Sequence, residues 1–457
     1  MATFNRCLAL AILGLLAILP GSAGAAKFTV TRTADPPPNG CKKRDCSLRE
    51  AVIAANARPG VDRIVLKARK RPYRLTRTGT GENEGLDGDL DLDNDPIAIV
   101  GRGKRRTTID GSASGERIFE AFAPTRLRRL ILTGGRESEH DGGAIHASAN
   151  LTIAASVLRG NAAPEVPPNN SGLGGAIYHQ AGVLRILGSK LIGNRAGDEA
   201  GAIEATGDRF VIRRSVLRGN RADASRAGAI YAATDQPSLI DKTTFRGNSA
   251  PNTGGALYVN NGSVRVASST FSANRSTDDN GGAIHSFGEL TVVNSTFSGN
   301  RATGFGGAIF NGTGATALLN ATTIARNVSD SDGNGIGSGG GAFNAPAGEF
   351  RIRNSILALN DQRLGDADDC AGVFTSAGGN LRTDGTDCGG FDSQRDTVRA
   401  NPRLRGLARN GGPTATIALK RKSPAIGRAI RASAPRRDQR GRQRDRRPDS
   451  GAYELVR

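Results

Sequence analysis

Ring side chains recur at one position of a sequence repeat, and rings aligned along a sheet can stack on sugar rings or nucleobases. If the isoleucine before this position faces a core, strand alternation points the position outward. The eight residues there are His146, Tyr178, Glu204, Tyr231, Tyr258, His285, Phe310 and Asn344. Six of them carry a ring in a chain with 4% aromatic residues, and we predict that these six bind a ligand. The alternative is a ladder of rings that stack on one another and only stabilise the sheet.

Acidic residues are concentrated in two short segments, and glycoside hydrolysis requires two carboxylates about 5 to 9.5 Å apart. These residues are Asp87, Asp89, Asp91, Asp93 and Asp95 in the first segment and Asp366, Asp368 and Asp369 in the second. The first segment has the spacing of a calcium loop but lacks the glycine and the downstream glutamate of an EF-hand. Alternating Asp and Leu predicts a strand with one solvent-exposed face, with calcium binding and catalysis as alternatives. No acidic position recurs in the repeats, so we assign no catalytic residue, no metal site and no cofactor.

The chain is strongly basic, with 62 Lys+Arg against 43 Asp+Glu and a net charge of +19. The predicted basic patch is Lys420, Arg421, Lys422, Arg436, Arg437, Arg440, Arg442, Arg444, Arg446 and Arg447. Such a patch attracts anionic polysaccharide or another polyanion. Arginine outnumbers lysine 52 to 10, so a compositional bias is the alternative explanation. No recognised nucleic-acid-binding module is present, and we predict no sequence-specific nucleic-acid partner.

The ring positions lie on eight repeats, whose starts are 25 to 34 residues apart, as expected for one turn of a parallel β-helix. The repeats begin at Gly142, Gly174, Ala200, Ala227, Gly254, Gly281, Gly306 and Gly340. Each has an apolar residue near its end, and these form a predicted interior column: Leu158, Leu191, Leu217, Phe245, Phe271, Phe297, Ile324 and Leu357. We therefore predict an all-β chain, a single-stranded right-handed parallel β-helix with three strands per coil and with its repeats in residues 116–362.

An asparagine follows each apolar residue by three positions, which predicts a structural ladder of stacked amides. The asparagines are Asn161, Asn194, Asn220, Asn248, Asn274, Asn300, Asn327 and Asn360. They suit a left-handed corner conformation, which asparagine tolerates. The glycine pairs that open most repeats predict a second tight corner, one without room for a Cβ atom.

A β-helix has open ends that must be covered. Ser47 and Glu50 have the spacing of a capping box, which predicts an amphipathic helix with Leu48, Val52 and Ala55 on one face before Pro59. We assign residues 26–115 to an N-terminal cap with the first coils. Residues 363–457 form an irregular C-terminal cap that carries the basic tail.

Residues 1–25 are predicted to be a secretory signal peptide, with one basic residue before a short apolar run and cleavage near Ala25 or Ala26. No later stretch is long and apolar enough for a spanning helix, so we expect a secreted mature chain without a transmembrane segment. Four cysteines remain after cleavage. Three pairings are possible, and the shortest loops are closed by the pairs Cys41 with Cys46 and Cys370 with Cys388. Zinc binding is disfavoured because no C-x-x-C occurs.

Several motifs resemble known bacterial proteins. The segments CSLREA at 46–51, GDLDL at 88–92 and TTIDG at 107–111 resemble CSLREA-containing right-handed β-helix proteins. The tail, with NGGPTATIAL at 410–419 and GAYE at 451–454, is similar to the choice-of-anchor Q domain. The GGAI and F-x-x-N repeats resemble those of polymorphic outer-membrane proteins, which are autotransported adhesins. The resemblance implies a secreted β-helix and supplies no catalytic residues.

From these features we predict a secreted or cell-surface protein that binds or adheres to polysaccharide or another anionic surface, with the outer membrane as the surface to which it would attach. The alternative is a polysaccharide lyase or glycoside hydrolase of the pectate-lyase-like β-helix class. The two hypotheses differ in what a groove must contain. An enzyme needs converging carboxylates, or a basic residue close to acids, whereas a binding protein needs only the rings and the basic surface.

Overall fold

The computed structural model describes residues 24–79, 84–103, 107–138, 141–166, 172–363, 367–383, 388–391, 395–398 and 400–455. Residues 1–23, which contain nearly all of the predicted signal peptide, lie outside the described residues, and so does Asp366. Each repeat contributes in turn to sheets A, B, C and D, which we name in their order along one coil.

Sheet A carries the predicted ring position. Its described strands are Leu90–Leu92, Phe119–Ala121, Ile145–Ala147, Ile177–His179, Ile203–Ala205, Ile230–Ala233, Leu257–Asn261, Ile284–Ser286, Ile309–Asn311, Ala342–Asn344, Cys370–Val373 and Cys388–Gly389. Sheet B consists of Lys27–Val30, Asp62–Lys67, Ile97–Arg102, Thr125–Arg128, Leu151–Ala154, Val183–Leu187, Arg209–Arg213, Ser238–Asp241, Ser263–Ala267, Glu289–Val293, Thr316–Asn320, Glu349–Arg353 and Thr375–Ser376.

Sheets C and D complete each coil. Sheet C consists of Tyr73–Arg74, Thr107–Asp110, Leu130–Thr133, Val157–Arg159, Lys190–Ile192, Val216–Arg218, Thr244–Arg246, Thr270–Ser272, Thr296–Ser298, Thr323–Ala325, Ile356–Ala358, Leu381–Arg382 and Thr397–Val398. Sheet D consists of the two-residue strands Ala162–Ala163, Arg195–Ala196, Arg221–Ala222, Ser249–Ala250, Arg275–Ser276, Arg301–Ala302, Val328–Ser329 and Asp361–Gln362.

Every strand in these sheets pairs in parallel with the strand one coil away, because each coil returns the chain to the same sheet. Connections between parallel strands of one sheet are right-handed almost without exception. The predicted right-handed parallel β-helix is confirmed. The sequence patterns did not indicate the short strands of sheet D, which add a fourth side to the coils that contain the repeats.

The interior is filled by columns of identical or similar side chains. The predicted apolar column from Leu158 to Leu357 is fully buried on sheet C. The rings of Phe245, Phe271 and Phe297 stack within it, with centroids 4.4 and 4.9 Å apart. This spacing follows from the separation of about 4.8 Å between neighbouring strands.

The eight asparagines form a hydrogen-bonded ladder at the corner between sheets C and D. Asn274 is typical, because its Nδ2 donates to Asn300 Oδ1 at 2.9 Å and to the Phe245 carbonyl at 3.2 Å. Its own Oδ1 accepts hydrogen bonds from the backbone N and the Nδ2 of Asn248. Asp369 ends the ladder by accepting from Asn360 Nδ2 at 3.0 Å.

The expectation that the ladder asparagines adopt the left-handed conformation is wrong. The positive φ lies one residue earlier, as at Gly247 (61°), Ala273 (52°) and Gly299 (68°). The corner turns there, and this leaves each asparagine free to point inward. The glycine pairs form a second corner. A Cβ on Gly282 would lie 2.2 Å from the Gly307 carbonyl oxygen of the next coil, so only glycine fits that position.

The N-terminal end is covered by the helix Leu48–Asn56, which has the predicted capping box between Ser47 and Glu50. Leu48, Val52 and Ala55 are buried on the predicted face. Arg49 is also fully buried. Its guanidinium binds both carboxylate oxygens of Asp35 and donates to the carbonyls of residues 85, 87, 88 and 89. The helix is therefore tied to the chain that enters the first strand of sheet A.

Both predicted disulfides, Cys41 with Cys46 and Cys370 with Cys388, are present. The irregular C-terminal segment, residues 400–455, contains the antiparallel hairpin Leu404–Ala408 and Thr416–Leu419. This segment runs back along the side of the coils. Gln439 Nε2 donates to the carbonyl of Ser269 at 3.1 Å, and the Gly451 N donates to the carbonyl of Asn354 at 2.7 Å.

Candidate functional site

One unbroken column of side chains runs along the outer face of sheet A. Strand register places the members directly beside one another in this order: Asp91, Glu120, His146, Tyr178, Glu204, Tyr231, Tyr258, His285, Phe310 and Phe343. We call this set the ring column. All six predicted ring residues belong to it, and the sequence analysis missed its two acidic members at the N-terminal end and Phe343 at the other end.

The prediction that Asn344 belongs to this column is wrong. Three glycines, at 339–341, precede Ala342, and the register pairs Phe343 with Phe310. These two rings stack with centroids 5.2 Å apart and planes 8° apart. Asn344 faces inward instead and accepts a hydrogen bond from Asn311 Nδ2 at 2.8 Å. The extra glycine was the signal for this one-residue shift.

The ring column is not the open surface expected from strand alternation. Tyr258, His285 and Phe310 are only 4%, 3% and 9% exposed, while Tyr178 and Tyr231 are half-buried. Loops between sheets D and A form one wall, and turns between sheets A and B form the other. Glu204, the acidic residue at the same repeat position, is 3% exposed. The rings are therefore the floor of a cleft.

The rings contact one another along this floor. Tyr231 and Tyr258 are stacked with centroids 5.4 Å apart. His285 lies 5.4 Å from Tyr258 and 4.4 Å from Phe310. Phe287, which is largely exposed, leans over His285 at 4.8 Å. The contacts expected for a ladder of stacked rings are therefore present. The same contacts also fix the positions of the rings, as a binding site for a ligand requires.

A cavity of about 410 Å³ opens above His285, Tyr258 and Phe310. One wall carries polar groups from three successive loops between sheets D and A, and the other carries Thr313 from a turn between sheets A and B. The loop residues are Arg226, Asn252, Thr253, Asp279 and Asn280. Arg226 donates to Tyr258 Oη at 3.1 Å and its guanidinium carbon lies 5.0 Å from the ring centroid. It also pairs with Glu199 at 2.9 Å. A ring floor with amide, carboxyl and guanidinium walls has the chemistry of a site for a polyhydroxylated ligand.

Burial shifts the pKa values of the titratable groups on this floor. Loss of solvation raises the pKa of Glu204 well above its usual range, and nearby Glu199 adds to the effect. Burial, with a smaller effect of the nearby carboxyl groups of Glu204 and Glu199, raises the pKa of Tyr231 to about 12. Burial and the positive charge of Arg226 lower the pKa of His285 to about 3. Burial therefore favours the uncharged form of each of these three groups.

Replacing His285 by phenylalanine should make the protein more resistant to acid. The unfolded chain protonates this histidine below pH 6.5, whereas the folded chain resists protonation until about pH 3, so its contribution to stability is lost as pH falls. At pH 5 the loss amounts to about 2 kcal/mol. We expect His285→Phe to raise the melting temperature relative to the unmodified chain at pH 5 more than at pH 8. If the two chains differed in melting temperature by the same amount at pH 5 and pH 8, the lowered pKa of His285 would be contradicted.

The acidic end of the ring column is compact. Oxygen atoms of Asp89, Asp91 and Glu120 lie within 4.8 Å of one another. Arg117 binds Glu120 at 3.0 Å and Asp89 at 3.4 Å. The prediction that this strand has one solvent-exposed face is wrong, because Asp89 and Asp91 are both buried. Burial raises the pKa of Asp89 well above its usual range despite the opposing charge of Arg117.

The second acidic segment has a structural role. Asp369 accepts hydrogen bonds from Asn360 and from the backbone N of Thr383, the latter at 2.7 Å. Asp368 accepts one from the backbone N of Gly339. These contacts tie the last repeat to the chain that follows it. They give no support to the catalytic alternative for this segment.

The predicted basic patch is only partly on the surface. Lys420, Arg421, Lys422, Arg436, Arg437, Arg442, Arg446 and Arg447 are exposed. Arg440 and Arg444 are buried, which corrects their assignment to the patch. Arg440 binds Asp438 at 2.7 Å and lies 3.6 Å from the Tyr453 ring centroid, and Arg444 binds Glu454 at 3.0 Å. These two arginines hold the C-terminal segment together.

The sheets and their order define the chain as a right-handed parallel β-helix protein. Residues 242–260 and 294–312 match the Chlamydia polymorphic membrane protein repeat. Each matched segment contains one ladder asparagine and one member of the ring column. No curated protein sequence matches the chain. Within the described part of the chain, no helix has the length and apolar character needed to span a membrane.

Two solved structures share similarity with the chain. A pectate lyase, Pel9A, is 12% identical with a TM-score of 0.40, and the similarity covers 95% of this chain and 98% of that one. A rhamnogalacturonan lyase is 10% identical with a TM-score of 0.32, and the similarity covers 88% of this chain and 96% of that one.

Proposed function

We propose that this chain is a secreted or cell-surface β-helix protein that binds polysaccharide in the cleft above the ring column. The observation that carries the proposal is the fixed floor of Tyr231, Tyr258, His285 and Phe310 beneath walls of hydrogen-bonding groups. Sugar rings present apolar faces to stack on such a floor and hydroxyl groups that can bond to the walls. The preference of the buried floor groups for their uncharged forms suits a ligand that makes contact through stacking.

Two further observations support a location outside the cytoplasm. The disulfides are typical of oxidising compartments, and the matched repeat is named for a membrane protein of Chlamydia. The signal peptide in residues 1–25 and the division into a cap at 26–115, repeats at 116–362 and a C-terminal region at 363–457 are part of this proposal. We also propose that the chain is related to the CSLREA and choice-of-anchor Q proteins.

The first test is a glycan-array screen of the purified mature chain, followed by binding measurements with single variants. We expect Tyr231→Ala or Tyr258→Ala to weaken binding about tenfold or more, comparable with the loss of one ring from a base-stacking site. Phe122→Ala is a matched control, since Phe122 is an exposed ring several coils away. Unchanged glycan binding with a lowered melting temperature would show that the rings serve only the sheet.

An enzyme acting on polysaccharide is the second candidate, and the observation that favours it is the acid group of Asp89, Asp91 and Glu120 beside Arg117. Incubation of each array hit with the chain, followed by assays for new reducing ends and unsaturated products, separates the two. We expect binding without turnover. Turnover that is lost in Asp89→Asn would instead establish the enzyme.

A further inference from the structure

A second cleft lies on a different side of the coil from the ring column. It has a volume of about 750 Å³ and is formed between the outer face of sheet C and the loop of the C-terminal hairpin. Lys190, Arg218 and Arg246 line it from the sheet, and Arg409 lines it from the hairpin. All four side chains are exposed. The cleft therefore has positive charge on two facing walls.

The arginines on the sheet are placed unfavourably for the free protein. Register sets Arg218 directly beside Arg246 on neighbouring strands, where like charges destabilise a sheet. Among the described residues, neither arginine has an ion-pair partner. The neighbouring pair Arg195 and Arg221 on sheet D is different, because Asp223 binds both guanidinium groups. A bound anion would offset the repulsion between Arg218 and Arg246, as Asp223 offsets the repulsion between Arg195 and Arg221.

The opposite wall is held in place by hydrogen bonds. Thr414 Oγ1 donates to the carbonyl of Ser268 at 2.8 Å, and Thr270 Oγ1 donates to the carbonyl of Ala415 at 2.6 Å. Gln439 Nε2 donates to both threonine hydroxyl groups, at 2.9 and 3.0 Å. The width of the cleft is thus set by the folded chain before any ligand enters.

The lining also indicates which kind of anion fits. Thr244, Ser272 and Ser298 add hydroxyl groups to the lining, and register places Ser272 beside Arg246 and Ser298 beside Ser272. The described lining residues include no aromatic ring on which a nucleobase could stack. A row of cations that continues into hydroxyl groups suits a polymer that carries both acid groups and hydroxyl groups.

We propose that this cleft binds the carboxylate or sulfate groups of an acidic polysaccharide. Arg218 and Arg246 each contact an acid group along the polymer, and Arg409 closes on it from the hairpin. This site shares no residue with the cleft above the ring column, so the chain has two separate contact surfaces for glycan. The basic residues of the C-terminal tail attract polyanions without selecting among them.

The test uses one polysaccharide, dextran, in three forms: with sulfate groups, with carboxymethyl groups and without charged groups. Binding of the full mature chain is measured at several salt concentrations. The variant Arg218→Gln/Arg246→Gln is compared with Arg421→Gln/Arg447→Gln, which removes the same charge from the exposed tail. Arg409→Gln tests the hairpin wall by a change that leaves sheet C intact. Single-stranded DNA is tested as a polyanion of another class.

We expect the sheet variant to bind an acidic dextran at least about tenfold more weakly, with a shallower dependence on salt by about one counterion per arginine removed. The tail control should bind almost as well as the unmodified chain, and uncharged dextran should not bind here. Comparison of the sulfate and carboxylate polymers identifies the preferred acid group. Equal losses in both double variants, or stronger binding to the DNA, would overturn the proposal. Tyr258→Ala should leave this binding unchanged.

Discussion

Replacing Arg49 by methionine is expected to lower the free energy of unfolding of the N-terminal coils by about 3–5 kcal/mol. The guanidinium is the sole charged partner of Asp35 seen in the described residues, and it satisfies four carbonyl groups of the segment that leads into sheet A. Methionine fills a similar volume but donates no hydrogen bond. Asp35 would lose its charged partner, although the backbone N–H groups of Thr76 and Arg77 still donate to it. The buried carbonyls would each lose a donor.

Hydrogen exchange measured by strand is the right readout, because a solenoid can unfold from one end. Amides of Lys27–Val30 and Leu90–Leu92 should exchange much faster in Arg49→Met, while amides of Thr296–Ser298 should not change. Arg58→Met is the matched control, since Arg58 is exposed just beyond the same helix. If the control and the variant exchange alike, the buried contacts of Arg49 do not stabilise the cap.

Replacing Asn274 by alanine is expected to destabilise the middle of the β-helix by about 3 kcal/mol. The change removes the acceptor of the Asn248 backbone N and Nδ2 and the donor to the Phe245 carbonyl, all of which are buried. Each buried polar group left without a partner costs about 1–3 kcal/mol. The neighbouring ladder members keep their other hydrogen bonds, so the effect is smaller than the sum of the lost contacts.

The matched control is Asn261→Ala, an exposed asparagine of the same repeat, which should change stability by less than about 0.5 kcal/mol. Thermal and denaturant unfolding of both variants gives the comparison. Asn274→Ala should also speed amide exchange in Thr270–Ser272 and in the coils on either side. A loss no larger than that of the control would mean that the ladder follows from the fold without stabilising it.

The repeated part of the fold could be predicted because each coil gives its residues the same surroundings as the next. Leu158, Phe245 and Leu357 occupy one buried column, so their shared spacing was enough to identify a core position. The ladder asparagines and the inward Asn344 show the limit of this reasoning. Spacing located the ladder, but the positive φ at the preceding residue and the one-residue shift at Phe343 depend on backbone geometry.

What could not be predicted depends on segments that do not repeat. The loops that cover Tyr258 and His285 differ in length from coil to coil, so strand alternation alone wrongly predicted exposed rings. Arg440 and Arg444 resemble the other tail arginines in sequence, and only the positions of Asp438 and Glu454 distinguish them. The cleft of Arg218, Arg246 and Arg409 brings together distant parts of the chain.

The course of the C-terminal segment has a mechanical consequence for a protein anchored or pulled from that end. Residues 414–452 are bonded to Ser268, Asn294, Thr323 and Asn354, which lie in successive parts of the β-helix. Tension applied beyond residue 455 therefore reaches the hydrogen bonds to Thr323 and Asn354 first and those to Asn294 and Ser268 afterwards. The last coil is shielded from the force that would otherwise unwind it one turn at a time.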